Sequence, residues 1–376
     1  MTAPRIQVLT ADDALTKISL FFGDEWLNTS INQVSVTFLS GGYSSSIYVV
    51  RRSSPAVEEP AAVIFRHNGS RMAADDELMK LSNAEECVVF FELSRLSLGP
   101  KLYGIGSGFR IEEYIPSHTL TPQDCEQPDI FRALAVSYAR LHAVKLPLIQ
   151  RKMDACIDEW IRFASTSPEW ETETKKLILD ANQPESQYIV DNFPITGCGQ
   201  HLRWISRLLK KFDCKKAFCH LDCNFLNVLV RDDVSSDDRV MIIDYEITMY
   251  SYRGMDIGSH FMNYVFKWNG KESKLSGGRY PNFERRKKFC EMYLEEEKKV
   301  HPESAGDGDV EQLMLEADIG AIYYSCFLVM VFSKYMRTWL SAELSFLTAF
   351  RFLIETLPLM IQQFNDDYPD AKFPSL

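Results

Sequence analysis

Residues 218–263 read FCHLDCNFLNVLVRDDVSSDDRVMIIDYEITMYSYRGMDIGSHFMN. Within them His220, Asp222 and Asn227 stand at offsets of two and seven, the H-x-D-x-x-x-x-N spacing of a phosphotransferase catalytic loop. A short apolar run follows at Asn227–Val230, then a polar turn at Asp232–Asp238, a second apolar run at Val240–Ile243, and Asp244. That pattern predicts a β-hairpin with one carboxylate before its first strand and another just after its second. Hairpin strands return their far ends to one place. Asp222, Asn227 and Asp244 are therefore expected to converge although up to 22 positions separate them.

Phosphoryl transfer needs that convergence. It asks for an aspartate beside the acceptor hydroxyl, and for oxygen ligands to the Mg²⁺ that bridges the nucleotide phosphates. Asp222 suits the first role. The Asn227 amide oxygen and the Asp244 carboxylate suit the second, with Glu246 two residues on as a further metal ligand.

Ile243-Asp244-Tyr245-Glu246 and the block from Arg253 to Phe261, R-G-M-D-I-G-S-H-F, resemble the choline/ethanolamine kinase family. The resemblance implies an α+β, two-lobed protein-kinase-like fold, with a small N-terminal lobe of antiparallel sheet plus helix and a large, mostly helical C-terminal lobe. It further implies ATP-dependent phosphorylation of the hydroxyl of choline or ethanolamine, the first step of phospholipid synthesis by the CDP-amine route.

The chain of 376 residues is long enough for two such lobes, and 46% hydrophobic with 25% charged residues is ordinary globular composition. A net charge of −11 argues against nucleic acid as a partner and suits a small cationic substrate. It does not suit ATP, so a nucleotide site must supply its own positive groups. The nine cysteines form no C-x-x-C pair. Cys214, Cys219 and Cys223 match no zinc spacing, and free thiols predict a reducing, cytoplasmic location. The N-terminal residues show no apolar signal core, and the most apolar run, Gly320–Phe332, is too short to span a membrane.

Ile18, Phe21, Phe22 and Trp26 predict an amphipathic helix packing onto the first lobe. Val34–Leu39 and Ile47–Val50 read as strands around Ser40-Gly41-Gly42-Tyr43-Ser44-Ser45-Ser46. Such a Gly-Ser turn can lay backbone N–H groups over phosphates. The family has a similar segment there, which places Ser40, Gly41, Gly42 and Ser44 at the nucleotide. Arg66, ending the strand Ala61–Arg66, resembles the family's phosphate-neutralising arginine, and Glu86 on the helix of residues 71–94 is a candidate partner for it. L-G-P-K-L-Y-G from Leu98 and R-I-E-E-Y-I-P from Arg110 also resemble family segments. The second implies a hinge whose backbone at Glu113 and Ile115 meets adenine, dividing a nucleotide-binding lobe (1–115) from a catalytic and substrate-binding lobe (116–376).

Phe131, Leu134, Tyr138 and Leu141 predict the first large helix of the second lobe. His142 on that helix reads as structural. Further on, the resemblance places Tyr324 and Phe327 where the family has two tryptophans around the amine. It adds Asn263, where the family has glutamate, with Tyr264 and Trp268 beside it. Leu221 stands where the family shows asparagine. The transfer residues are present and the substrate residues diverge, which keeps two other readings open: a kinase of another small amino alcohol, and a kinase-like binding protein with little turnover. The oligomeric state is open, with a homodimer as one option.

Overall fold

The computed structural model describes residues 8–41, 45–54, 57–68, 80–150, 152–165, 168–193, 195–232, 234, 236–300 and 309–372. The chain divides into two compact units, residues 1–117 with 231–233 and residues 118–230 with 234–376.

The first unit opens with α1 (Ala11–Ile18) and the single-turn α2 (Asp24–Leu27). The Thr10 hydroxyl caps α1 by accepting the Asp13 N–H. The periodicity predicted one helix here, but the chain breaks after Ile18 and restarts beyond Gly23. Ile18 and Trp26 still reach the core fully buried, whereas Phe21 is left 37% exposed. Strands β1 (Val34–Gly41), β2 (Ser45–Arg52) and β3 (Ala62–Asn68), rich in β-branched and aromatic residues, are followed by α3 (Asn83–Arg95), β4 (Leu102–Gly106) and β5 (Phe109–Glu113). The sheet runs β1-β2-β3-β5-β4, antiparallel throughout. Alternation sends Phe65 and Ile111 into the core with Ile18 and Trp26. Their neighbours Arg66 and Arg110, also in register, lie side by side on the other face.

A reciprocal capping box between Ser82 and Glu85 starts α3. Residues 71–79, the first part of the helix expected over 71–94, lie outside the described residues. So do Gly42 and Ser44 of the Gly-Ser turn, together with the side chain of Ser40.

The chain enters the second unit through β6 (Ser117–Thr119). Helices follow at α4 (Pro128–His142), α5 (Lys152–Ser165), α6 (Pro168–Asp180), α7 (Ser186–Asp191) and α8 (Ile195–Lys211). Next come β7 (Lys216–Cys219), β8 (Val228–Arg231), β9 (Val240–Ile242) and β10 (Met249–Tyr252). The unit ends with α9 (Arg253–Met262), α10 (Phe283–Val300), α11 (Val310–Lys334), α12 (Met336–Ala342) and α13 (Phe346–Asp367). Strand β8 lies between β6 and β9, and β7 pairs with β10. The hairpin expected from residues 227–243 is present as β8 and β9, with Val228 opposite Ile242 and Val230 opposite Val240.

Every residue of α9 is buried, and it packs along α11 at backbone distance. A Cβ on Gly254 would collide with the Glu316 carbonyl, one on Gly258 with the Ala321 nitrogen, and one on Gly320 with the Gly254 carbonyl. Arg253 closes the same interface, its Nε 2.7 Å from Glu316 and its Nη1 3.0 Å from Glu297. Helix α11 is 25 residues long, well beyond the apolar run Gly320–Phe332, and by length and composition could cross a membrane. Of its most apolar 18-residue window, however, 89% is buried inside the protein, where it serves as the central core helix.

Candidate active site

The loop between β7 and β8 is built on one buried carboxylate. Asp256, on α9, accepts the His220 N–H at 2.7 Å and the Leu221 N–H at 2.8 Å. Leu221 has φ +66°, the left-handed region. Asparagine tolerates that region better than leucine, so the substitution noted in the sequence adds strain of about 1–2 kcal/mol, which the Asp256 bonds offset. His142 on α4 holds Asp256 in turn, with Nε2 3.1 Å from its carboxylate and Nδ1 2.8 Å from the Tyr293 hydroxyl. Burial opposes a charge on Asp256. The His142 bond, the fields of His142 and His220 and the His220 N–H nonetheless keep its carboxyl below the ordinary range.

His220 ties the loop to the hairpin. Its Nε2 lies 2.9 Å from the Ile243 carbonyl, and its Nδ1 lies 3.3 Å from the Asp222 N–H. One neutral tautomer, protonated on Nε2, satisfies both. Across the hairpin, the Ile243 N–H donates to the Asn227 carbonyl at 2.9 Å, so Asn227 and the residue after Ile243 are brought together. That residue is Asp244, at φ +68°. Glu246 is half-buried in the next turn, which the Thr248 N–H closes onto the Tyr245 carbonyl.

Asp222 is gripped by two amides. Asn224 Nδ2 donates to one carboxylate oxygen and Asn227 Nδ2 to the other, each at 2.8 Å. Each oxygen keeps a lone pair for a further donor. Burial pushes the Asp222 carboxyl above its ordinary value and Asp244 adds to this, while His220 and the two amides work the other way. The result is a carboxylate of raised basicity on a half-buried residue.

Three of the expected amine-site residues meet near it. The Trp268 indole N–H donates to Asn263 Oδ1 at 2.7 Å, and Asn263 Nδ2 donates to the Tyr324 hydroxyl at 3.3 Å and to the Ser259 carbonyl at 2.8 Å. The Tyr324 phenol lies within the field of Asp222; burial first, then that charge, raises its pKa. Tyr264 and Phe327 sit in adjoining aromatic clusters. Tyr264 packs on Phe225 and His260. Phe327 stacks on Tyr323, its centroid 6.0 Å away, with its edge against Trp160.

In the first unit, Arg66 and Arg110 are kept together by carboxylates. Glu112 reaches Arg110 Nε at 2.5 Å and Arg66 Nε at 3.2 Å, while Glu86 reaches Arg110 Nη1 at 2.6 Å. Glu86, expected to hold Arg66, is thus joined to it through Arg110 and Glu112. The Glu113 N–H donates to the Lys101 carbonyl at 2.9 Å, and the Ile115 carbonyl accepts the Ser117 hydroxyl at 2.9 Å.

In the sequence Asp256 stands only as one member of the Arg253–Phe261 block, with no role of its own, and His142 reads as structural, which is the part it plays. A lone aspartate inside a stretch otherwise fit for the core, with a histidine on the preceding large helix, was the available signal. Asp256→Ala would leave two backbone donors and an imidazole N–H unmatched, at about 1–3 kcal/mol each. We expect Asp256→Asn to melt several degrees lower and to lose about 10²-fold in kcat, a loss of the size a small displacement at a reacting centre produces. A folded Asp256→Asn enzyme with unchanged kcat would detach this carboxylate from the loop's function.

Cys219 also approaches His142 and Asp256, giving a donor set of metal-ligand types. Hydrogen bonds already account for the histidine and the aspartate, and burial pushes the Cys219 thiol well up, away from the thiolate a metal requires. All nine cysteines are free thiols.

The sequence profile of the choline/ethanolamine kinases matches residues 36–343. A choline/ethanolamine kinase of Rattus norvegicus is 29% identical over 306 residues, covering 79% of this chain and 73% of the rat protein. Among solved structures, a choline kinase from Cryptosporidium parvum superposes with TM-score 0.63 at 18% identity, covering 96% of both chains. An ethanolamine kinase from Plasmodium vivax gives 0.61 at 14% identity, covering 94% of this chain and 88% of that one. At such identities the superpositions establish a shared fold, the protein-kinase-like fold expected from the sequence.

Proposed function

The chain belongs to the choline/ethanolamine kinase family, and from that premise we propose how its own residues carry out the family's reaction. It is a phosphotransferase with an alcohol acceptor, phosphorylating choline or ethanolamine at the expense of ATP. The observation that supports the residue roles is the gathering of Asp222, Asn227 and Asp244 at the end of the β8–β9 hairpin, with His220 bonded to both sides.

In this reading the acceptor hydroxyl donates to a free lone pair of Asp222, which orients it and takes its proton as the phosphoryl group arrives. The raised basicity of Asp222 suits that role. Asn224 and Asn227 fix the carboxylate plane, and Asp256 fixes the loop beneath it. Oxygen donors are what Mg²⁺ selects. Because the Asn227 amide nitrogen is bonded to Asp222, its Oδ1 remains as an acceptor; Asp244 and Glu246 supply carboxylates, and the set fits the ion. Mg²⁺ bound there would neutralise phosphate charge. Arg66, steadied by Glu112, Arg110 and Glu86, neutralises phosphate in the same reading, together with Ser40, Gly41, Gly42 and Ser44, in the N-terminal lobe of residues 1–115. The backbone at Glu113 and Ile115 meets the adenine, as the resemblance of this segment to the family's hinge implies. Residues 116–376 form the catalytic and substrate-binding lobe. Asn263, Tyr264, Trp268, Tyr324 and Phe327 hold the amine end. The product enters phospholipid synthesis, in the cytoplasm.

The test is ATP-dependent product formation with choline, ethanolamine and the methylated ethanolamines, at several Mg²⁺ concentrations. We expect phosphorylated product from choline or ethanolamine and none without Mg²⁺. Lack of product from every amine would overturn the reading.

A further inference from the structure

A cavity of about 270 Å³ lies in the second unit, lined by the end of α9 and by α10, α11 and α13. Met262, Val265 and Ile322, all buried, line its inner part, while Leu359, Gln363 and Asp367 of α13 are exposed at its mouth. Neither Asp222 nor Tyr324 is among its lining residues. Successive helix residues turn by about 100°, so Asp318 and Ile322 share one face of α11, and Tyr324 stands about 200° round from Ile322. The cavity is therefore separate from the acceptor site.

Its polar end is Asp318, with Arg286 of α10 beside it, their side chains 12% and 10% exposed. The carboxylate is poorly satisfied for so enclosed a group. Arg286 Nε stands 3.3 Å away but misaligned for a hydrogen bond, and Nη2 is at 3.5 Å. The Tyr280 hydroxyl donates at 3.4 Å and the Tyr368 hydroxyl at 3.0 Å. A charge-assisted N–H···O bond closes to about 2.7–2.9 Å, and an ionised carboxylate has about four acceptor sites. Arg286 is drawn away by the Pro281 carbonyl, which takes its Nη1 at 2.9 Å. Burial pushes the Asp318 carboxyl above its ordinary range and Asp367 adds to this, while Arg286, Tyr368 and Tyr280 offset only part. Two carboxylates thus line the cavity against one guanidinium.

We propose that this cavity binds a small amphiphilic cation, a primary ammonium on an apolar body the size of a benzene ring, with the ammonium seated against Asp318. A cavity of about 150 Å³ holds benzene. The 270 Å³ here leaves room for such a ring and a short arm ending in the charged group. The apolar lining takes the ring, and the ammonium supplies the donors that Asp318 lacks. An alcohol of the same shape brings one donor and no charge, and a carboxylate would face Asp318 and Asp367. The inference stands on the cavity alone and does not need the kinase reading.

The probes are 2-phenylethylamine, 2-phenylethanol and 3-phenylpropanoate, titrated by calorimetry into the full chain with ethanolamine in excess. The ethanolamine keeps the amine probe from registering at the acceptor site. We expect 2-phenylethylamine to bind, 2-phenylethanol to bind about tenfold more weakly, and 3-phenylpropanoate to give no signal. Thr356→Phe places a ring in the cavity from its half-buried wall. It should weaken 2-phenylethylamine about tenfold or more and leave kcat for the acceptor unchanged. Asp318→Asn should abolish the preference for the amine over the alcohol. That variant deprives Arg286 of its partner, so its folding is checked by melting, and Thr356→Phe decides the matter if it does not fold. Absence of 2-phenylethylamine binding, equal binding of the three probes, or undiminished binding in Thr356→Phe overturns the proposal and leaves the kinase reading intact.

Discussion

Asp222→Asn is expected to fold, to bind ATP, and to lose between 10² and 10⁴ in kcat, about 3–5 kcal/mol of barrier. The asparagine keeps the shape of the side chain but cannot take a proton. It also turns an NH₂ toward one of the two amides, Asn224 or Asn227, that now donate to Asp222. The pH profile separates general-base function from misplacement. The wild-type carboxyl is raised by burial, so its charged, active form is lost as pH falls through a value above the ordinary carboxylate range. The acid limb of kcat/KM should therefore lie on the high side, and it should vanish in Asp222→Asn, leaving a flat residual rate. A variant retaining more than about a tenth of kcat would remove Asp222 from the chemistry.

Asp244→Ala should abolish turnover. Asp244 sits at φ +68°, where an alanine adds strain of about 1–2 kcal/mol, so Asp244→Asn is the companion that tolerates the backbone and removes only the charge. Both should be inactive if the carboxylate is a metal ligand. Asn227→Ala should lose less activity, and the structure divides that loss in two. One part is metal affinity, which added Mg²⁺ restores. The other is the pair of bonds from Asn227 Nδ2 to the carbonyl and carboxylate of Asp222, which Mg²⁺ cannot replace. Titrating Mg²⁺ against kcat should thus give partial recovery with a plateau below wild type. Complete recovery, or none, would contradict the dual role.

The catalytic loop and the hairpin were legible because their chemistry is local. Motif spacing and strand alternation both act over a few residues, and His220, Asp222, Asn227 and Asp244 came together as the pattern required. What spacing did not show was which distant group holds which. Glu86 carries a charge suited to Arg66, but strand register sets Arg110 beside Arg66, and two neighbouring cations need Glu112 between them. Asn263 read as a glutamate lost from the substrate's electrostatic field. In the fold all its polar atoms are bonded and it is 1% exposed, so it ties Trp268 to Tyr324. Phe327 sits one helical turn from Tyr323 and stacks on it, and the ring that closes the cluster, Trp160, belongs to a helix far away in sequence, so spacing along α11 could not show it.

The glycine contact between α9 and α11 fixes more than a helix crossing. Asp256 on α9 holds the loop that presents Asp222, and Tyr324 on α11 lies in the field of that carboxylate. With Gly254, Gly258 and Gly320 already at main-chain contact, the two helices have no side chains to shorten and no slack to take up. The molecule therefore contains a ruler whose graduations are set by backbone against backbone. The spacing between the Asp222 loop and the middle of α11 is thereby held by main chain alone, and no substitution at the joint can relax it without parting the helices.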